Sequence, residues 1–381
     1  MESGALAELR SIAANLTHDR IDRWRERGGK VVGYFYSYVP DEILVGAGIM
    51  PYRIRGIGST STMYSDKYLT ENNCPASRYT LDAVMTGKMG FLDGIVGTNI
   101  CDHVRRLYDN IDRFGDIPCL SFVFVPKVTG QHHTETYASF LEEFRANLEK
   151  QYAIKISDED IEKGIATCNR VRALQRRLYD TMRADNPPLS GADIHAAMIA
   201  GECLPKQDYI VLLEQLLADA EGKEGDGVPV ARLLLSVGEL DDPRFVETVE
   251  SQGGKVVTDS MLYGTLACCR DVEPGTGNPI MALARYYFSE DPALCPRIIG
   301  GNQGRFEYVA KLVDDMRVDG VVTCSMPFCE QWEFEQRDLG LFLKRRGIPH
   351  MGITNDYVQV SAGQVKTRIQ AFQETMKEGD L

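Results

Sequence analysis

Two segments of this chain, DGIVGTNICD (residues 93–102) and DGVVTCSMPFCE (residues 319–330), repeat one pattern: Asp-Gly, a short β-branched strand, then a cysteine. Each lies among strands that alternate with amphipathic helices, and such alternation marks a parallel sheet covered by helices. In an open parallel sheet, ligands gather just beyond the carboxyl ends of the strands, where both cysteines fall. The expected fold class is therefore α/β, with two Rossmann-like parallel-sheet lobes that resemble pseudo-repeats.

The remaining elements fit that plan. A helix over residues 5–28 stops at Gly28-Gly29 and feeds the apolar strand VVGYFYSYV. ASRYTLDAVMTGK and DHVRRLYDNI read as helices, DGIVGTN (93–99) and CLSFVFV (119–125) as strands. From His132 to Ala220 apolar residues recur at intervals of three and four (Phe140, Phe144, Leu148; Ile161, Ile165; Val171, Leu174, Leu178), so this stretch is wholly helical apart from a break at NPPLSG. The acidic, glycine-rich ADAEGKEGDGVP (218–229) lacks apolar periodicity and reads as a linker. A second alternation follows, with strands at 231–238, 255–262, 319–326 and 350–354 and a closing helix GQVKTRIQAFQETM. The expected division is an N-terminal lobe with a leading helix (1–130), a helical segment (131–220) and a C-terminal lobe (221–381).

A length of 381 residues suits such a multi-lobed protein. The net charge of -13 opposes general affinity for nucleic acid or anionic lipid. No apolar run reaches the roughly 18 residues of a membrane helix, and the opening segment carries charges where a secretory signal would be apolar. A cytoplasmic protein without nucleic-acid or membrane partners is expected. Ten cysteines are too few and too unevenly placed for a disulfide scaffold, and without CxxC, HExxH or HxxxH a conventional zinc site has little support.

Cys101 ends one expected strand, Cys329 follows its counterpart in the other lobe, and Cys74 opens the helix CPASRYTLDAV, where backbone N–H groups and the helix dipole favour a thiolate. Two lobes packed face to face can bring such thiols into one cleft. Three thiolates can hold an iron-sulfur cluster and leave one iron open, although buried apolar filler is the commoner role of a free cysteine. The other seven read as core or incidental, with Cys119 in a strand, Cys168 and Cys203 on helices and Cys324 facing its strand's packing.

VGYFYSYVPDEILVGAGIMPYRIRG, NNCPASR, FLDGIVGTNICDHVRRLYDN, NPPLSG, LLLSVGELDDPRFVETVESQGGKVVTD, DGVVTCSMPFCEQW and NDYVQVSAGQVKTRIQAFQE, in this order, resemble the 2-hydroxyacyl-CoA dehydratase and benzoyl-CoA reductase family over nearly the whole chain. The resemblance implies a 4Fe-4S cluster held by three cysteines, matching Cys74, Cys101 and Cys329 here. Leu262 stands where many members carry a further cysteine, and Thr354 where an acid is common. It implies dehydration of an (R)-2-hydroxyacyl-CoA. One electron makes a ketyl radical anion of the thioester carbonyl, the neighbouring hydroxyl leaves, and the electron is recovered after loss of the now acidic β-proton. In the reductase branch, ATP-dependent dearomatisation of an aryl-CoA consumes the electrons. It further implies a homologous second subunit, forming a heterodimer, and a separate ATP-dependent iron-sulfur activator. This chain lacks GxxxxGK[ST] and so is not the activator. A third reading is a partner subunit whose cluster relays electrons or stabilises the dimer while the homologous chain binds substrate.

Other residues are candidates beside it. His103 can donate to cluster sulfur or shuttle a proton, and Arg105 or Arg106 can offset cluster charge. Ser37 can bind the thioester carbonyl or the leaving hydroxyl, the alternative being a helix cap ahead of Pro40. Arg53 and Arg55, with the GIGSTST loop, are candidates for CoA phosphates, and GGNQGR (300–305) is a weaker one. Trp332 and Glu330 can shield and orient the cluster, while His132-His133 reads as a surface turn.

Overall fold

The computed structural model describes residues 4–288, 302–358 and 362–378. Eight strands form two four-stranded sheets. In the first, β1 (Val31–Tyr34), β2 (Met50–Arg53), β3 (Gly94–Thr98) and β4 (Cys119–Val123) lie in the order β2-β1-β3-β4, all parallel. In the second, β5 (Arg232–Val237), β6 (Lys255–Met261), β7 (Gly320–Ser325) and β8 (His350–Thr354) lie in the order β6-β5-β7-β8, again parallel. The repeat read from the two DG strands thus extends to topology. Both sheets reverse their winding between first and third strands, and such switch points open a crevice at the strands' carboxyl ends.

The strands are apolar runs because helices cover both faces. In β5, Leu233 and Leu235 pack with Val249 and Ile369 on one side, while Leu234 meets Phe306, Val309 and Leu343 on the other. The four helices Gln131–Tyr152, Asp158–Asp180, Gly191–Gly201 and Lys206–Ala220 share the first sheet's core. Phe144 and Leu148 belong with Val32 and Val96, whereas Leu174, Leu178 and Leu213 belong with Val31 and Ile95. Ser157 and Ser190 start two of these helices through reciprocal capping boxes with Asp160 and Asp193.

Three expectations shift. The leading helix is two, Gly4–Ala14 and Asp19–Glu26. The first strand stops at Tyr34, because the chain turns through Tyr36 at a φ of +67°. The edge strand β2 escapes sequence reading because it is four residues long and contains Pro51, a residue an edge tolerates.

Helix Asp41–Gly46, just beyond β1, crosses helix Asp158–Asp180 at two glycines. A methyl on Gly164 would overlap the Glu42 carbonyl, and one on Gly46 would overlap that of Asp160. Both obstacles are backbone, so neither can rotate aside. Gly164→Ala should therefore destabilise the protein by about 1–3 kcal/mol, the usual range for overpacking. A chemical-denaturation midpoint matching the parent's would show that the crossing has slack.

Candidate metal centre

Cys74, Cys101 and Cys329 each occupy the N-cap of a helix: Pro75–Met85, Asp102–Phe114 and Glu330–Arg345 respectively. The local sequence accounts for each start. Pro75 takes the first helical position, where its missing N–H removes no bond, and Asp102, Glu330 and Glu333 place carboxylates in first turns. All three cysteines line one cavity of about 460 Å³ that joins the carboxyl ends of both sheets. The positive ends of three helix dipoles consequently converge on it.

The thiols feel these surroundings unequally. Contact with the Cys74 thiol holds Cys329 below the ordinary thiol range, helped by the Trp332 N–H. The same contact, then burial, pushes Cys74 well up, and this outweighs the Ala76 and Ser77 N–H groups that favour its thiolate. Burial pushes Cys101 up to about 11, opposed by the Val104 N–H, which donates to Sγ at 3.4 Å. Metal binding here must displace thiol protons.

Among the described residues, no three His, Cys, Asp or Glu side chains group tightly enough for a single metal ion. A four-iron cluster differs, since it takes one thiolate per iron and spreads its ligands around a cube. Three thiols at three positive helix ends suit such an anionic, polynuclear group better than tetrahedral zinc.

Around the cysteines, His103 lies half-buried on the cavity wall, with Nδ1 3.1 Å from Asn73 Oδ1 and Nε2 3.1 Å from the Phe328 carbonyl. Arg105 stands at the mouth, 47% exposed and paired with Asp102 at 3.5 Å, while the exposed Arg106 pairs with Asp109. Trp332 is buried, and its indole N–H donates to the Tyr36 hydroxyl. A methyl on Gly238 would overlap that indole, so the glycine after β5 makes its seat.

The other candidates lie elsewhere. Ser37 lines a separate cavity of about 90 Å³ with Asp41, Arg53 and Lys206, and its hydroxyl is buried without a protein partner. It caps no helix, because Pro40 takes the N-cap of Asp41–Gly46. Arg53 and Arg55 are 1% and 2% exposed. Arg53 pairs with Glu239 at 3.0 Å and stacks on the Tyr263 ring. Arg55 donates to the carbonyls of Ala13 and Asn15, where the first helix ends. Both guanidiniums are thus engaged by protein partners, Arg53 at the wall of the smaller cavity.

In GGNQGR, Gly300 and Gly301 lie outside the described residues, as does Cys295, and Arg305 is buried against Glu335. His132 and His133 are exposed on the first turn of helix Gln131–Tyr152, with no turn of their own. Cys203 sits in the bend after helix Gly191–Gly201 and not on a helix. Among the cavity residues that sequence reading did not single out are Tyr36 and Glu239. Burial raises the Glu239 carboxyl above its usual range, opposed by Arg53. Its signal was its place, two residues beyond β5 at the same strand end as the cysteines.

Residues 36–376 match the family model "2-hydroxyglutaryl-CoA dehydratase, D-component". The chain is 25% identical to (R)-2-hydroxyglutaryl-CoA dehydratase subunit beta of Acidaminococcus fermentans, over 98% of this chain and 99% of that one. It is 22% identical to the (R)-phenyllactyl-CoA dehydratase beta subunit of Clostridium sporogenes, over 97% and 98%. To a benzoyl-CoA reductase subunit of Thauera aromatica it is 23% identical, over 96% of each. With a match running through both lobes and all three N-cap cysteines, this chain belongs to the 2-hydroxyglutaryl-CoA dehydratase D-component family.

Proposed function

We propose that this chain is the iron-sulfur subunit of an (R)-2-hydroxyacyl-CoA dehydratase-type enzyme, in which Cys74, Cys101 and Cys329 hold a 4Fe-4S cluster with one iron open. The observation that carries the proposal is the convergence of three N-cap cysteines on one cavity at the switch points of both sheets. Bound there, the cluster would supply the single low-potential electron that lets a 2-hydroxyacyl thioester lose its hydroxyl.

The chain's own residues prepare that place. Three helix N-termini stabilise negative charge, and backbone N–H groups of Val104 and Trp332 point at ligand sulfurs. Buried Trp332 and Phe35 keep bulk water from the cavity floor. Glu239 brings one carboxyl to the cavity, held on Arg53, at which a proton can be kept. A homologous subunit would complete the enzyme in the cytoplasm, and a separate ATP-dependent iron-sulfur activator would deliver the electron.

A second reading has a specific observation in its favour. The hydroxyl of Ser37 opens onto the smaller cavity, and Arg53 and Arg55 are buried in protein contacts. That arrangement suits a subunit whose cluster relays electrons while the homologous chain holds the acyl-CoA. Aryl-CoA reduction is the remaining branch, since a reductase subunit is among the relatives.

The test reconstitutes the chain anaerobically with its partner and activator, then supplies a 2-hydroxyacyl-CoA or benzoyl-CoA. Iron and acid-labile sulfide retained by the isolated chain, with water lost from the hydroxyacyl thioester and electrons not consumed in stoichiometric amounts, is the expected result. A chain that retains no iron contradicts the proposal. Stoichiometric electron consumption with benzoyl-CoA transfers it to the reductase branch.

A further inference from the structure

We infer that His103 is a positioning residue that fastens the three cysteine segments to one another, so that their sulfurs are spaced for a cluster before iron arrives. The inference rests on the cluster reading above and assigns a role to a side chain which that reading does not need.

The geometry is specific. His103 belongs to the first turn after Cys101, Asn73 immediately precedes Cys74, and Phe328 immediately precedes Cys329. One imidazole therefore touches the neighbours of both other cysteines while riding on the helix of the first. The amide orientation of Asn73 is fixed independently, because its Nδ2 donates to the Thr70 carbonyl at 3.2 Å and to Thr70 Oγ1 at 3.0 Å. That leaves Oδ1 turned to the histidine as an acceptor. The Phe328 carbonyl is an acceptor as well; the ring donates to one segment through its N–H and keeps its other nitrogen within 3.1 Å of the second.

The bond to Phe328 has a further consequence. Phe328 has a φ of +61°, a left-handed conformation uncommon for a bulky residue, and its side chain is 43% exposed. Packing of that side chain is a weak restraint on the turn. A hydrogen bond to its carbonyl from the opposite lobe supplies a direct one. Tyr36, at +67° beyond β1, is held in the converse way, its hydroxyl accepting from Trp332 of the C-terminal lobe. Each lobe thus restrains the left-handed turn that leads into the other lobe's side of the cavity.

A ligand set drawn from three distant parts of a chain loses affinity when its outer contacts loosen, because each sulfur then explores positions that fit no iron. Removing the ring should act through Cys74 and Cys329 and should be imitated by cutting Asn73 alone. A direct role of His103 on cluster sulfur or in proton transfer predicts no such imitation.

The experiment compares the parent with His103→Leu, His103→Gln and Asn73→Ala, all as full-length chains. Two readouts are taken: the rate at which a chelator strips iron from the reconstituted protein, and the yield of the Cys74–Cys329 disulfide after brief diamide treatment of the reduced, metal-free protein, mapped by mass spectrometry. In His103→Leu, iron loss should be about tenfold faster and the disulfide yield lower. Asn73→Ala should shift both readouts in the same direction by less, and His103→Gln, which keeps a donor, should lie between His103→Leu and the parent. If His103→Leu does not fold, the other two variants decide. The inference is overturned if both readouts stay within about twofold of the parent, or if Asn73→Ala leaves them unmoved while the His103 variants shift. Should the parent itself take up no iron, the cluster reading fails, and the disulfide yields alone then judge the clamp.

Discussion

Cys101→Ser is expected to emerge from anaerobic reconstitution with no four-iron cluster, while Cys203→Ser and Cys324→Ser retain the parent's iron and sulfide. A serine hydroxyl is a poor substitute for a thiolate at an iron-sulfur centre. Among the described residues only three cysteines line the cavity, so none of the other described thiols stands ready to take over. Cys203 and Cys324 belong to buried cores, so their replacement alters packing and leaves the centre alone. The fold should survive in Cys101→Ser, because serine is among the best residues at a helix N-cap and can accept the same Val104 N–H. Loss of iron with secondary structure unchanged by circular dichroism separates ligation from folding. Full iron occupancy in this variant would remove Cys101 from the ligand set.

The second large effect concerns stability. Glu42 is fully buried beside Arg172, accepts from its guanidinium, and also accepts from the Tyr287 hydroxyl at 2.9 Å. Arg172, itself 6% exposed, lies over the Tyr286 ring. This cluster joins the helix after β1 to helix Asp158–Asp180 and to the end of helix Pro279–Tyr287. Glu42→Leu leaves a buried cation with its main counterion gone, a change that destabilises proteins by about 3–5 kcal/mol. The double variant Glu42→Leu/Arg172→Met should recover most of that loss, because a matched apolar pair no longer strands a charge. Chemical denaturation of the two proteins provides the check. A single variant within about 1 kcal/mol of the parent would mean that water or rearrangement solvates Arg172.

How much of this was legible in the sequence depends on how local each signal is. β3 and β7 announce themselves through Asp-Gly and β-branched runs, and the cysteines after them inherit their place from the strand ends. Their N-cap positions follow from Pro75, Asp102 and Glu330, which begin helices within a residue of each sulfur. Arg53 and Arg55 look like phosphate ligands in PYRIRG, yet their partners Glu239 and Asn15 come from other parts of the chain, which no local pattern announces. Ser37 follows the left-handed turn at Tyr36, and its hydroxyl lines the smaller cavity, a placement that local sequence does not announce. The link from His103 to Phe328 spans both lobes and becomes visible only once the strands are stacked.

Iron-edge anomalous diffraction from anaerobically grown crystals of the reconstituted chain tests the central claim most directly. The account predicts one compact four-iron peak inside the 460 Å³ cavity, bonded to the sulfurs of Cys74, Cys101 and Cys329 and to no fourth cysteine. Iron bound at another group of side chains, or a cavity free of iron in protein that carries it, would contradict the account.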